Sequence, residues 1–382
     1  MVEYTDKERQ RKIRSAFQAR QVMNYKPPAY FAVIRRTMIS LVAIATFSIA
    51  YVAMWFYTAQ GLRSNLEDWA VNARQAGWAV TYKQPVLSGF PFAIRLTLNT
   101  PSFATSGDDP DWSWKGPELV IQSRPWNPGR YLLKFPEHNE LTLKTKAGPV
   151  SYGGLSQELT VEFKPGEHWP KDLLIHAKNV ALQAITGAKV GARSATIEAT
   201  HDPSNPEDIK SPSLSFKINA QDLVLPAHFK LPMGAKVSKL SINGAVMGGI
   251  EPGLLRSSLA TWRDAGGTME IPKFSMRYGP FHLIRSDGTV ALDGNLQPVG
   301  AFTAKVIGFH EFIDALRVSG WVRGKDSLTV KLVTSAFFQK DENGGPPTLN
   351  LAVSIQNGKI FTGQAKLVDM PHVNWGPKVA SD

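Results

Sequence analysis

Histidines are the first residues to test for chemistry. Eight are present, at positions 138, 168, 176, 201, 228, 282, 310 and 372. One opens the run His310-Glu311-Phe312-Ile313-Asp314, which begins like the zinc-protease pattern H-E-x-x-H. That pattern sets two imidazoles one helical turn apart on a metal, with the Glu as base. Here the second His is absent, so the ligand pair is absent too. His176 in LLIHAK and His282 in PFHLI fall inside strand-like alternation and read as structural histidines. Arg263-Asp264 with Gly266-Gly267 forms a second cluster. A glycine pair cradles phosphate where it opens a helix, whereas this one follows a helical stripe and closes it. Arg263-Asp264 therefore reads as an ion pair or helix end.

No G-x-S-x-G, Walker A or Rossmann glycine fingerprint occurs. The chain has no cysteine, which removes disulfides, thiolate metal sites and thiol nucleophiles together. With no catalytic, cofactor or metal constellation in hand, the sequence reads as non-enzymatic. Two motifs remain as candidate ligand or structural elements. One is Trp262, Arg263, Gly266 and Gly267. The other is Gly89, Phe90, Pro91 and Phe92, in SGFPF. Pro91 drives Phe90 toward extended angles and Gly89 permits a sharp bend, so the motif reads as a bend into a strand. Phe90 and Phe92 are then expected on one face, plugging the end of the core or forming a ligand-facing lip.

The elements that must position these motifs alternate with period two. Phe92, Ile94, Leu96 and Leu98 begin the pattern; Leu159, Val161, Phe163 and Leu214, Phe216, Ile218 repeat it; Leu328, Val330, Leu332 and Leu349, Leu351, Val353, Ile355 end it. Asn357-Gly358 in IQNGKI predicts a tight type I′ hairpin, and Asp293-Gly294 is a second turn candidate. Local connections of this kind predict a mainly antiparallel sheet. Two later segments read as helices: GLLRSSLATWRDAG, with Leu255, Leu259 and Trp262 on one stripe, and FHEFIDALRV, with Phe309, Phe312, Ile313 and Leu316. The fold class is mainly β with a few α-helices. It is a large antiparallel sheet, curved or two-layered, preceded by a single N-terminal transmembrane helix.

The charge distribution supports that N-terminal helix. Residues 1–36 hold nine Lys or Arg against three acidic residues, over half of the net +11. Residues 37–59 then run without a charge. As a helix they span about 34 Å, enough for a hydrocarbon core of about 30 Å. Trp55, Phe56 and Tyr57 lie at one end, where rings favour the headgroup boundary, and Arg35 and Arg36 at the other. The positive-inside bias places the N-terminus in the cytoplasm of a single-pass inner (cytoplasmic) membrane protein with a periplasmic body. A cleaved signal peptide fits less well, because the apolar run exceeds about 15 residues and starts far from the N-terminus. The division is then a basic cytoplasmic arm (1–36), an anchor (37–59), an amphipathic stalk helix (60–77) with Leu62, Leu66, Trp69 and Ala73 on one face, and a β-rich body (78–382). An internal boundary is possible near 200–212. The basic run Arg9–Arg14 reads as topology and headgroup attraction, with no fingerprint for nucleic acid.

The GFPF element, the block from Trp262 to Gly308 and the closing NGKIFTGQAKLVDMPHVNW together resemble the bacterial family catalogued as domain of unknown function 2125. MRYGPF departs modestly, with Tyr278 near a position where Trp is expected. The resemblance implies an anchored, β-rich envelope protein and supplies no catalytic residue. Two functions follow from the pattern. Either the sheet forms a trough whose apolar face binds or shields lipid acyl chains, or its core is closed and a sheet edge or loop binds another envelope protein.

Overall fold

The computed structural model describes residues 3–23, 29–105, 110–167, 169–202, 209–226, 229–251, 253, 255–335, 337–340 and 344–375. The chain divides into two compact units, Met1–Tyr57 and Thr58–Asp382. The basic arm is helical, α1 (Glu3–Met23). Expected as separate pieces, anchor and stalk form one continuous helix, α2 (Ala29–Gln75). Its Tyr30–Gln75 portion includes a stretch long and apolar enough to cross a membrane. There Met38, Leu41, Val42, Ile44, Phe47 and Ile49 are exposed around the helix, as suits a segment solvated by lipid.

In the second unit, Leu62, Leu66 and Ala70 form the buried stripe of α2. Trp69 was expected on that stripe but lies beside it, half exposed, with its ring edge-on to Phe103 at 6.1 Å. The 3.6-residue repeat carries the stripe from Leu66 to Ala70 instead. Gly77 (φ +89) ends the helix with paired bonds, Gly77 N–H to Arg74 C=O and Trp78 N–H to Ala73 C=O, both 2.9 Å.

The strands follow in order. β1 (Ala79–Thr81), β2 (Val86–Ser88), β3 (Ile94–Asn99), β4 (Ser102–Ala104), β5 (Trp112–Lys115), β6 (Glu118–Arg124), β7 (Asn127–Lys134) and β8 (His138–Thr145) are short. β9 (Gly148–Lys164), β10 (Asp172–Ala184), β11 (Lys189–His201), β12 (Pro212–Val224) and β13 (Lys236–Met247) are long. Then come α3 (Leu255–Asp264), β14 (Thr268–Tyr278), β15 (Phe281–Leu292), β16 (Pro298–Ile307), α4 (Phe309–Val318) and α5 (Gly324–Ser335). β17 (Phe338–Gln339), β18 (Thr348–Gln356), β19 (Lys359–Thr362) and β20 (Ala365–Asp369) complete the chain.

These strands make one open antiparallel sheet. From β9 to β16 each pairs with the next, and β16 continues to β18, β19 and β20. At β9 the sheet forks, because this strand is long enough to serve two partners along its free edge. Its first half pairs with β8, leading to β5, β4 and β1; its last half pairs with β7, leading to β6, β3 and β2. Near 200–212, residues 203–208 lie outside the described ones. β11 and β12 pair across them, through Ile197 with Ile218 and His201 with Leu214, so the sheet runs through that region unbroken. Asn357 (φ +52) and Gly358 (φ +65) form the predicted hairpin turn between β18 and β19.

Leu328, Val330 and Leu332, expected as a strand, lie on α5. Their period-two spacing is incidental. The helix buries Ser327, Val330 and Thr334 at helical intervals and leaves Leu328 and Leu332 71% and 79% exposed. On α3 the buried stripe is Ser258, Leu259 and Trp262, and Leu255 is exposed rather than part of it. α4 buries Phe309, Ile313 and Leu316 as expected, against Phe281, Leu283, Val306, Leu349 and Val330.

Candidate functional site: an apolar sheet face and its rim

Residues directly opposite in antiparallel strands share a face. One continuous row therefore crosses twelve strands: Leu96, Ile121, Leu133, Val161, Ile175, Ile197, Ile218, Ile242, Phe274, Ser286, Ala304 and Leu351. Only Ser286 is polar. A parallel row places Tyr131, Phe163, Leu173, Ala199, Phe216 and Gly244 side by side. Gly244 is where the Phe216 ring lies, since a Cβ there would meet its Cζ at 2.3 Å.

Burial along the long row is uneven. Leu96 and Ile121 at one end and Leu351 at the other are buried. Leu133, Val161, Ile175, Ile197, Ile218, Ile242 and Phe274 between them are all only half-buried. The Leu351 end is covered by α4 and α5, on whose cluster Phe274 also packs; among the described residues the stretch from Leu133 to Ile242 stays less buried than either end.

The opposite face is polar. Glu162, Leu174, Glu198, Lys217, Asn243 and Lys273 form one of its rows, with Lys217 Nζ 3.8 Å from Glu198 Oε2. His176 belongs to this face, with Nδ1 3.4 Å from Thr196 Oγ1 and Nε2 3.9 Å from Glu158 Oε2. His282 stands opposite Arg277 on β14. Partial burial first, and then the Arg277 charge, hold its pKa below the usual histidine range. Along one line the sheet bends: Asn179 and Asp222 both have φ +48, and the buried positions change parity from Ala177 to Leu182 and Ala184. The Asp222 carboxylate accepts there from Lys236 Nζ at 2.9 Å and pairs with Arg193, and the Lys236 bond foremost lowers its pKa.

Of the sequence motifs, GFPF is not a core plug. β3 begins at Ile94, and the bend takes up all of Gly89–Ala93, closed by Ala93 N–H to Gly89 C=O at 2.9 Å. The buried alternation is thus Ile94, Leu96, Leu98, while Phe90 and Phe92 sit in the turn, 53% and 75% exposed. The Phe90–Pro91 peptide is cis. Gly89 is needed at φ +100, where a Cβ would meet the Ala93 carbonyl oxygen at 2.6 Å.

Trp262, Arg263, Gly266 and Gly267 come together as a structural lock. Gly266 (φ +83) and Gly267 close α3 through N–H bonds to Arg263 and Trp262 C=O, both 2.9 Å. The Trp262 Nε1–H donates to Met247 C=O at 2.8 Å, with the ring packed on Val246, Leu259 and Leu296. Arg263 pairs with Asp264 at 2.7 Å and donates to the Asp293 and Gly294 carbonyls at 3.2 and 3.1 Å. The 293–297 turn it clamps is also held by Trp375, whose Nε1–H donates to Leu296 C=O at 2.6 Å. The Asp293-Gly294 turn candidate is therefore a five-residue loop, with Asp293 Oδ1 accepting from Asn295 and Gln297 N–H, both 2.8 Å.

A groove of about 810 Å³ lies beside α4, lined by His310, Glu311, Phe338, Lys340 and the 344–347 segment. His310 is taken up there by an edge-on contact with Phe338 at 4.8 Å. Among the described residues no three His, Asp or Glu are placed to hold a metal ion; His168 and His228 lie outside them. Sequence reading found several of the strands, misread residues 328–332 as another, and missed the rows, because only cross-strand register reveals them.

A family model described as "Uncharacterized protein conserved in bacteria (DUF2125)" matches residues 55–371. No curated protein and no solved structure matches the chain.

Proposed function

The chain belongs to that bacterial DUF2125 family, and on this premise we propose that it is a membrane-anchored, non-enzymatic envelope protein whose sheet binds or shields lipid acyl chains along its apolar face. In this reading α2 anchors it in the inner membrane, the N-terminus is cytoplasmic and the body periplasmic. The observation that carries the reading is the half-buried centre of the long row between two buried ends. A closed scaffold would bury Ile175, Ile197 and Ile218 as fully as Leu96 is buried; an acyl chain laid across them supplies the missing cover.

The test is site-specific photocrosslinking in cells, with the full chain carrying p-benzoylphenylalanine at Ile197 or Phe216, and at Asn219 or Lys217 on the polar face. Lipid adducts at the first pair alone are expected. A protein adduct at Ile197 and Phe216, or no adduct at all four positions, would reject lipid binding in favour of a partner protein or a closed core.

A further inference from the structure

Three turns stand together at one end of the sheet. β3 pairs with β6, β7 with the last half of β9, and β9 with β10, so the β2–β3, β6–β7 and β9–β10 connections are neighbours on one rim. At about 4.8 Å per strand their centres are roughly 10 Å apart, across about 20 Å. Each presents an aromatic ring more than half exposed: Phe90 and Phe92, then Trp126, then Trp169. Each is built on Pro or Gly and carries a nearby cation, in GFPFAIR, RPWNPGR and KPGEHWPK. Arg95 lies over its turn, with Cγ 3.3 Å from a Cβ built at Gly89.

Across these turns five cations (Arg95, Arg124, Arg130, Lys164, Lys171) face three carboxylates (Glu162, Glu167, Asp172). Arg130 takes Glu162 at 2.9 Å and Asp172 at 3.5 Å. Arg95, Arg124, Lys164 and Lys171 form no ion pair among the described residues. Rings at the tips and unpaired cations behind them are the pairing that suits a headgroup boundary with phosphates above it. Directly behind the rim, Tyr131 and Phe163 begin an apolar row, their rings 5.5 Å apart.

We propose that this rim is a membrane-docking lip: the four rings insert at the surface of a bilayer bearing anionic headgroups, and acyl chains enter the apolar face there. The second half of the statement rests on the acyl-chain reading above; the docking does not.

The absence of cysteine allows a direct test on the full chain in phosphatidylcholine nanodiscs with and without phosphatidylglycerol. A polarity-sensitive fluorophore is placed by Phe92→Cys or Trp126→Cys, and as control by Ile185→Cys on the opposite rim, a fully exposed position. The expected result is a blue shift and quenching by nitroxide lipid at 92 and 126 but not at 185, stronger with phosphatidylglycerol. Arg124→Glu with Lys164→Glu should weaken it at least roughly thirtyfold, at about 1 kcal/mol for each of the two cations lost near the surface. Aqueous spectra at all three sites overturn the lip. A shift that follows protein concentration and not lipid composition also overturns it, by assigning the rim to a second copy. Lipid crosslinks at Phe216 with water at 92 and 126 sink the lip alone; the reverse result sinks the acyl-chain reading alone.

Discussion

Replacing Gly267 by Ala tests whether the Trp262 lock is as tight as its geometry requires. A Cβ at 267 would stand 2.2 Å from Trp262 Nε1, 2.3 Å from Cε2 and 2.5 Å from Cδ1. The indole cannot retreat freely, because it is buried and its Nε1–H is committed to Met247 C=O. Moving it forfeits that bond, about 0.5–1.5 kcal/mol net, and adds the strain of overpacking, about 1–3 kcal/mol. Gly267→Ala is therefore expected to cost about 2–4 kcal/mol in a urea melt of the full chain in nanodiscs, followed by the circular dichroism of the strands. Trp262→Ala alone should cost about 3–5 kcal/mol. In that background Gly267→Ala has nothing to strike, so its cost should fall below about 1 kcal/mol. Gly266→Ala makes the contrast, since its cost of about 1–2 kcal/mol comes from left-handed backbone angles and should be equal in both backgrounds. Equal costs of Gly267→Ala with and without the indole would refute the steric account.

Two further predictions concern groups whose titration the fold perturbs. The Tyr278 hydroxyl donates to Gly234 C=O and accepts from Met233 N–H, both 2.7 Å, so Tyr278→Phe leaves a backbone donor unmet and should cost about 1–3 kcal/mol. Burial raises the Tyr278 pKa, so its contribution is complete below about pH 10 and is lost as pH rises through the folded value; melts of the Phe variant should lack that alkaline loss. His282 is the opposite case, with a folded pKa held low. Stability is expected to fall as pH drops below about 6.5 toward the folded value, and His282→Gln should flatten that decline in melts across the range. An unchanged acid slope would remove His282 from the account.

How much of this was legible in the sequence depends on whether the signal is local. Helix ends and hairpins are local: Gly77, Gly266 and Asn357-Gly358 each hold the positive φ their positions predict. Errors arose where a local pattern has two readings. Leu328, Val330 and Leu332 alternate like a strand, yet α5 buries only Val330 of the three, because Ser327 and Thr334 complete its inward face. Phe92 matches the phase of Ile94, Leu96 and Leu98, but a five-residue bend ends between them and leaves it in solvent. The candidate site was the least legible part. No spacing announces that Ile175 meets Ile197 and Ile197 meets Ile218, since that juxtaposition is created by register between distant strands.

The helix count sets the width of the uncovered face. A helix about 10 Å across shields about two strands spaced about 4.8 Å apart. The long row crosses twelve strands. The end of α2 meets the other arm of the fork, with Trp69 against Phe103 on β4 and Arg74 donating to Val80 C=O on β1. At the other end of the row α4 and α5 share one cluster and so do not double their cover. α3 lies against Val246, Leu292 and Leu214, near the strand ends rather than across the row. What is left runs from Leu133 on β7 to Ile242 on β13, six strands or about 29 Å of apolar face. Such a width exceeds the isolated apolar contacts a monomer carries in water. It follows that full chain whose α2 is held in a nanodisc, with no lipid on the sheet face, should self-associate between discs through this face, and that Ile197→Lys with Ile218→Lys should abolish the association while leaving the buried ends of the row intact. Self-association unaffected by those two charges would place the sticky surface elsewhere.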